Sequence, residues 1–170
     1  MKKIIAHPAP KPLSKSAPIL GRVAATIIAV MLVLQIIGLG KILPELSTQF
    51  NGRDGWAIAV TVSALLVGII AIPFLLRRKL SHLANLFSGV AAVLAPWIWT
   101  LVVVWSVGLP DIKAVQFGIV GCFNVGWWLL VVNVLWLIFN FYTVRQLNLE
   151  KIWYEATGLK PRSQLKKGKK

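Results

Sequence analysis

Four long stretches of this 170-residue chain contain no Asp, Glu, Lys or Arg. They are Val23–Gly40, Gly55–Leu76, Leu80–Pro110 and Ala114–Val144, of 18, 22, 31 and 31 residues. Ionisable groups inside a membrane are functional candidates by default, so their absence excludes chemistry. Proton-coupled antiport, which uses a buried carboxylate, is not expected. Cysteine is also scarce. Cys122 is alone, which rules out an intrachain disulfide and a Cys-x-x-Cys redox pair. There are two histidines, His7 in the N-terminal segment and His82 at the start of the third run. No His pair faces across a bundle, so haem ligation is not expected. Ser63, Ser88 and Ser106 lie in the runs without an acid and base to activate them. No phosphate loop, zinc spacing or nucleotide fingerprint is present. No cofactor, metal site or catalytic residue is therefore expected.

What is abundant is apolar. Hydrophobic residues make up 57% of the chain, charged residues only 14%, and the mean hydropathy is +0.74. A soluble domain is usually about half apolar and a quarter charged. A hydrocarbon core about 30 Å thick takes roughly 20 apolar residues as a helix. Each run is long enough for one crossing, and none holds two crossings and a turn. Backbone groups in lipid must bond within the chain, which makes the runs helices. The expected fold is all-α, a four-helix transmembrane bundle with spans at about 22–43, 56–76, 82–106 and 116–143. Together they form a membrane domain over residues 22–144. Pro73 and Pro96 are expected to kink the second and third spans. Trp56, Trp105, Trp127, Trp128 and Trp136 fall at span ends or inside spans, and tryptophan is a common interfacial anchor.

Charge gives the orientation. The chain has 19 basic and 5 acidic residues, a formal charge of +14. Sixteen of the basic residues fall on one side of the four-span arrangement. They lie in the N-terminal segment through Arg22, in Arg77, Arg78 and Lys79, and in the segment from Arg145 onward. Lys41, Arg53 and Lys113 lie on the other side and are matched by Glu45, Asp54 and Asp111. Short loops rich in Lys and Arg stay in the cytoplasm, so both termini are expected there, in a plasma-membrane protein. The apolar run after the N-terminal lysines is followed by KILPELS, which has no A-x-A-like cleavage site, so an uncleaved first span is expected.

Residues 1–21 read as a disordered basic tail rich in Pro, Ser and Lys. Residues 145–170 read as a short amphipathic helix followed by a disordered basic end. Such tails attract anionic lipid. No aromatic–basic module accompanies the charge, which argues against nucleic acid.

Weak polarity remains inside the spans. Gly118, Cys122 and Gly126 are spaced by four, as are Ala64 and Gly68, so each set is expected to stack small residues on one helix face. That face serves close packing within the monomer or a homo-oligomer. Gln35, Asn85, Asn124, Asn133 and Asn140 are candidates to bond between helices, and Gln35, Asn124 and Asn133 are also candidates to line a polar path.

The chain also carries Arg22 entering the first span, GLGK at Gly38–Lys41 leaving it, LPEL after that, and ALLVGIIAIPFLLRRKLSHLANLFSGV from Ala64 to Val90. Over about residues 20–95 this resembles the DoxX/MauE-like group of small four-span membrane proteins. The resemblance implies a four-helix bundle and accessory roles beside redox or maturation systems, with Arg22 and Lys41 as matching positions. The chain departs from the group in the second span, where members often carry an acid and this chain has Gly68.

Three functions follow as expectations. The first is a non-catalytic accessory or scaffold subunit that binds a membrane protein partner. The second is a DoxX-like subunit of a redox or maturation complex. The third is a small-solute transporter or channel formed by oligomerisation. The orientation is directly testable. With Cys122 replaced by Ser, single cysteines placed at Lys15 and Arg78 are expected to react with a membrane-impermeant maleimide only after the membrane is opened. One at Arg53 is expected to react in intact cells.

Overall fold

The computed structural model describes residues 15–106, 115–120, 126–149 and 152–153. These form four α-helices, and no strand occurs among the described residues. They are α1 (Ala17–Gln49), α2 (Asp54–Leu75), α3 (His82–Ser106) and α4 (Trp128–Gln146). All four are long and apolar enough to cross a membrane. Helix α1 packs along α2, α2 along α3, and α3 along α4, while α1 and α4 touch little. The place beside α1 is taken by a short 3-10 segment, residues 115–120.

The packing puts small residues inside and large ones outside. Helix α2 buries Ala57, Thr61, Ala64, Gly68 and Ala71, and exposes Ile58, Val62, Leu66, Ile69 and Ile70. Lipid tails are as apolar as leucine, so burying a leucine gains little; close backbone approach is what holds membrane helices together. Gly21 and Gly68 show how close. A Cβ on Gly21 would lie 2.4 Å from the carbonyl oxygen of Leu75, and one on Gly68 would lie 2.9 Å from Leu32 Cδ2. The expected Ala64–Gly68 pair does face the interior.

Helix ends follow from the chain. Asn51 and Arg77 adopt left-handed conformations, with φ of 55° and 54°. The Gly52 N–H donates to the Ser47 carbonyl, and the Asn51 N–H to Thr48. Arg78 donates to Pro73 and Arg77 to Phe74 in the same pattern. Each is a Schellman stop, which satisfies carbonyls that the helix leaves unpaired. Asn148, with φ of 59°, turns the chain after α4. Leu149 and Ile152 then pack back on the bundle, and Trp153 stays exposed.

Trp56, Trp105, Trp127 and Trp128 are all exposed. They sit where α2 begins, α3 ends and α4 begins, so they share one end of the bundle. Trp105 also meets Phe50 at the end of α1, with ring centroids 6.4 Å apart. This is an aromatic belt at one membrane surface.

Three expectations change. Helix α1 begins at Ala17, inside the expected tail, because Pro18 suits a first turn, where its missing N–H would have had no partner. It also runs on to Gln49, beyond the expected end near 43. Leu46 is fully buried in that extension and, with Ile42 just before it, belongs to one apolar cluster with Val115. The fourth run is not one helix. Gly118 and Gly126 both have φ of 63°, which a right-handed helix does not contain, and α4 starts only at Trp128. Gly118 and Gly126 therefore do not stack on one helix face. Cys122, the middle member of that set, lies outside the described residues, as do most of the two tails.

Pro73 interrupts α2 and has no N–H to give the preceding turn. Ser88 of α3 repairs the break. The Phe74 N–H donates to Ser88 Oγ at 3.0 Å, and the Ser88 hydroxyl donates to the carbonyl of Ile70. Ser88→Ala would leave two backbone groups unpaired in an apolar setting. A loss of about 1–3 kcal/mol is expected, read as a lower SDS midpoint in unfolding from mixed micelles.

Candidate functional site

One buried polar contact lies at the middle of α1. Gln35 lies near the centre of that helix and is 3% exposed. Its Nε2 donates to the backbone carbonyl of Gln116 at 2.6 Å. Gln116 belongs to the 3-10 segment, which reaches the same depth. Non-helical backbone in a membrane is tolerated where protein buries it, and Val115, Gln116 and Gly118 are buried. Gly118 has φ of 63° and ψ of −139°, a conformation suited to glycine. A Cβ there would lie 2.0 Å from the carbonyl oxygen of Leu34 and 2.8 Å from the nitrogen of Gln35. The segment thus rests directly on the α1 backbone.

Helix α4 supplies the other wall. Asn133, Trp136 and Asn140 follow at intervals of three and four and share one helix face. Asn133 and Asn140 are fully buried. Asn133 Nδ2 donates to the carbonyl of Leu129, one turn back, at 2.8 Å. Asn133 Oδ1, Trp136 Nε1, both amide atoms of Asn140 and both of Gln116 have no protein partner. Trp136 and Gln35 line a cavity with Leu32, Gly68, Ala95 and Trp99. The cavity offers about 10 Å³ to the centre of a water-sized sphere, near the room of a single water.

The remaining buried hydroxyls serve their own helices. Thr61, Thr100 and Thr143 each donate to the carbonyl four residues back, at 2.8 Å. Among the described residues, no charged side chain is buried at this level. Arg22 and Lys41 are exposed on α1. Arg22 lies at the end of the bundle marked by Leu75 and Leu147, which flank its neighbour Gly21. Among the described residues no group of three His, Cys, Asp or Glu could hold a metal ion.

Of the expected polar lining, Gln35 and Asn133 are brought to the interior, and Asn124 lies outside the described residues. Asn85 reaches the carbonyl of Leu80 at 3.5 Å, near its own helix start. Asn140, expected to bond between helices, has no partner. The sequence reading missed the roles of Gln116 and the Trp136 indole. A signal for the first was present: Gly118, Gly121 and Gly126 crowd nine residues of an assumed helix and follow Gln116. Comparison with family models, curated proteins and solved structures finds no match for the chain.

Gly118→Ala would strain the backbone and push a methyl group into Leu34 and Gln35. The segment should be displaced from α1 at a cost of roughly 3 kcal/mol, from left-handed strain plus overpacking. Unfolding in mixed micelles, with Gly126→Ala as a comparison in open space, measures this.

Proposed function

We propose that the protein is a non-catalytic accessory subunit of the plasma membrane, which acts by binding a membrane protein partner. One observation carries this reading. Every buried polar residue among the described ones is an amide or a hydroxyl. Amides donate and accept hydrogen bonds without titrating, and a hydroxyl without a base is a poor nucleophile. Such an interior supports recognition more than reaction. The exposed apolar faces of all four helices leave room for a partner helix as well as lipid.

The charge distribution supports a cytoplasmic attachment. Lys15, Arg22, Arg77, Arg78, Lys79 and Arg145 are exposed. They sit at the start of α1, between α2 and α3, and at the end of α4, which is one end of the bundle. The tryptophan belt is at the opposite end. Anionic headgroups would gain about 1 kcal/mol per Lys or Arg near the surface. This supports anionic lipid at the basic end and, by the positive-inside rule, cytoplasmic termini.

The buried non-helical segment favours a second reading, a small-solute transporter, because broken elements at mid-membrane often surround a substrate. Purification in native-lipid nanodiscs followed by mass spectrometry separates the readings. A stoichiometric membrane protein partner is the expected result. A quinone or a cofactor-bearing subunit would move the assignment to the redox or maturation complex implied by the DoxX-like resemblance. A homo-oligomer with lipid alone would overturn the accessory reading in favour of transport.

A further inference from the structure

We propose that the junction between the start of α1 and the end of α2 binds one anionic phospholipid, whose phosphate is held by Arg22, Arg77 and Arg78. This rests on the reading that anionic lipid gathers at the basic end, and it adds a defined site to that general attraction. Gly21 makes the junction. A Cβ there would run into the carbonyl oxygen of Leu75 and would touch Leu147 Cδ1. Arg22 is the next residue of α1, and Arg77 and Arg78 follow Leu75 by two and three residues. The close approach that glycine permits therefore brings three arginines from two elements to one place. The turn that carries two of them is fixed. The Arg77 N–H donates to the Phe74 carbonyl and the Arg78 N–H to that of Pro73, both at 2.9 Å.

Charge and surroundings define the ligand. All three arginines are exposed. The acids among the described residues, Glu45 and Asp54, lie at the opposite end of the bundle. Like charges gathered without a counter-charge repel, so the partner that suits them is an anion from outside the described chain. The guanidinium fork matches a phosphate with two parallel hydrogen bonds. The apolar neighbours select a lipid over free phosphate. Arg22 is the sixth residue of α1, about 7 Å along the helix from its start. Ile19 and Val23 beside it are exposed, as are Leu76 and Leu80 around the turn. A free phosphate would meet the arginines alone. A lipid would set its phosphate on the arginines and its chains along Ile19, Val23 and Leu76. Basic groups between transmembrane helices bind phosphorylated headgroups in this way. Arg145 is placed differently. It shares the outer face of α4 with Ile138, Phe141 and Tyr142, all exposed.

The test uses the full chain in nanodiscs of phosphatidylcholine with a minor share of phosphatidylglycerol. Native mass spectrometry of the released protein counts the lipids that stay bound. One phosphatidylglycerol retained in preference to phosphatidylcholine is expected. Arg22→Gln should weaken its apparent affinity about tenfold, the scale of one hydrogen bond to a charged group. Arg78→Gln gives the same reading if Arg22→Gln does not fold. Arg145→Gln should cost clearly less, and excess inorganic phosphate should not displace the lipid. The site is overturned if Arg22→Gln and Arg145→Gln weaken retention equally, since the attraction is then spread over the whole end. It is also overturned if inorganic phosphate displaces the lipid, since the arginines then take a free anion. Neither result touches the general preference for anionic lipid at the basic end. No preference for phosphatidylglycerol at all would overturn the site and that reading together, so the two failures are distinguishable.

Discussion

Inside a bilayer the backbone has nothing but the protein to bond with, and the rest of this structure follows from that constraint. A continuous helix satisfies it without help, which is why four apolar stretches become four helices. The informative places are those where the ladder cannot run on. At Pro73 the gap is closed from outside the helix, by one hydroxyl on α3 that accepts from Phe74 and donates to Ile70. At residues 115–120 the chain leaves the α-helical ladder for a 3-10 segment broken at Gly118, and it does so where α1 covers it. Gln35 then serves as the external donor for the carbonyl of Gln116. Both repairs tie one element to another, so a backbone requirement becomes a tertiary contact.

The same constraint explains what was legible in the sequence. Spans, their number and the charge asymmetry depend on composition over some twenty residues, and single-residue detail does not disturb them. The Ala64–Gly68 pair was legible because it lies on an uninterrupted helix, where a spacing of four means one face. Gly118 and Gly126 have that kind of spacing too, but the inference presumed a helix that is absent. Hydropathy could not reveal this. A buried non-helical segment is as apolar as a helix, since both must exclude water. The distinguishing cue was local, three glycines within nine residues beside a glutamine, and it competes with the ordinary tolerance of transmembrane helices for glycine.

Packing order depends on shape more than on burial of apolar area. Leucine facing lipid and leucine facing another helix are nearly equivalent, so hydrophobicity alone does not order four similar helices. Specific fits do. Gly21 admits the carbonyl of Leu75, Gly68 admits Leu32, and Gly118 admits the backbone at Leu34. Each contact fails if a helix shifts or rotates, because the neighbouring positions carry side chains too large for the approach.

The amides on α4 stand apart from this scheme. Thr61, Thr100, Thr143, Ser88 and Gln35 all return a bond to a backbone carbonyl. Asn133 does so with its nitrogen, and its oxygen is left over. Asn140 and the side chain of Gln116 return none. A buried polar group without a partner costs about 1–3 kcal/mol, and leucine at these positions would avoid it. Neither Asn133 nor Asn140 lies beside a break in the chain, so backbone repair does not account for them. Small-residue packing does not either, since asparagine is larger than the alanines that fill the other interfaces. Both asparagines lie one turn from Trp136, whose side chain lines a cavity with residues of α1, α2 and α3.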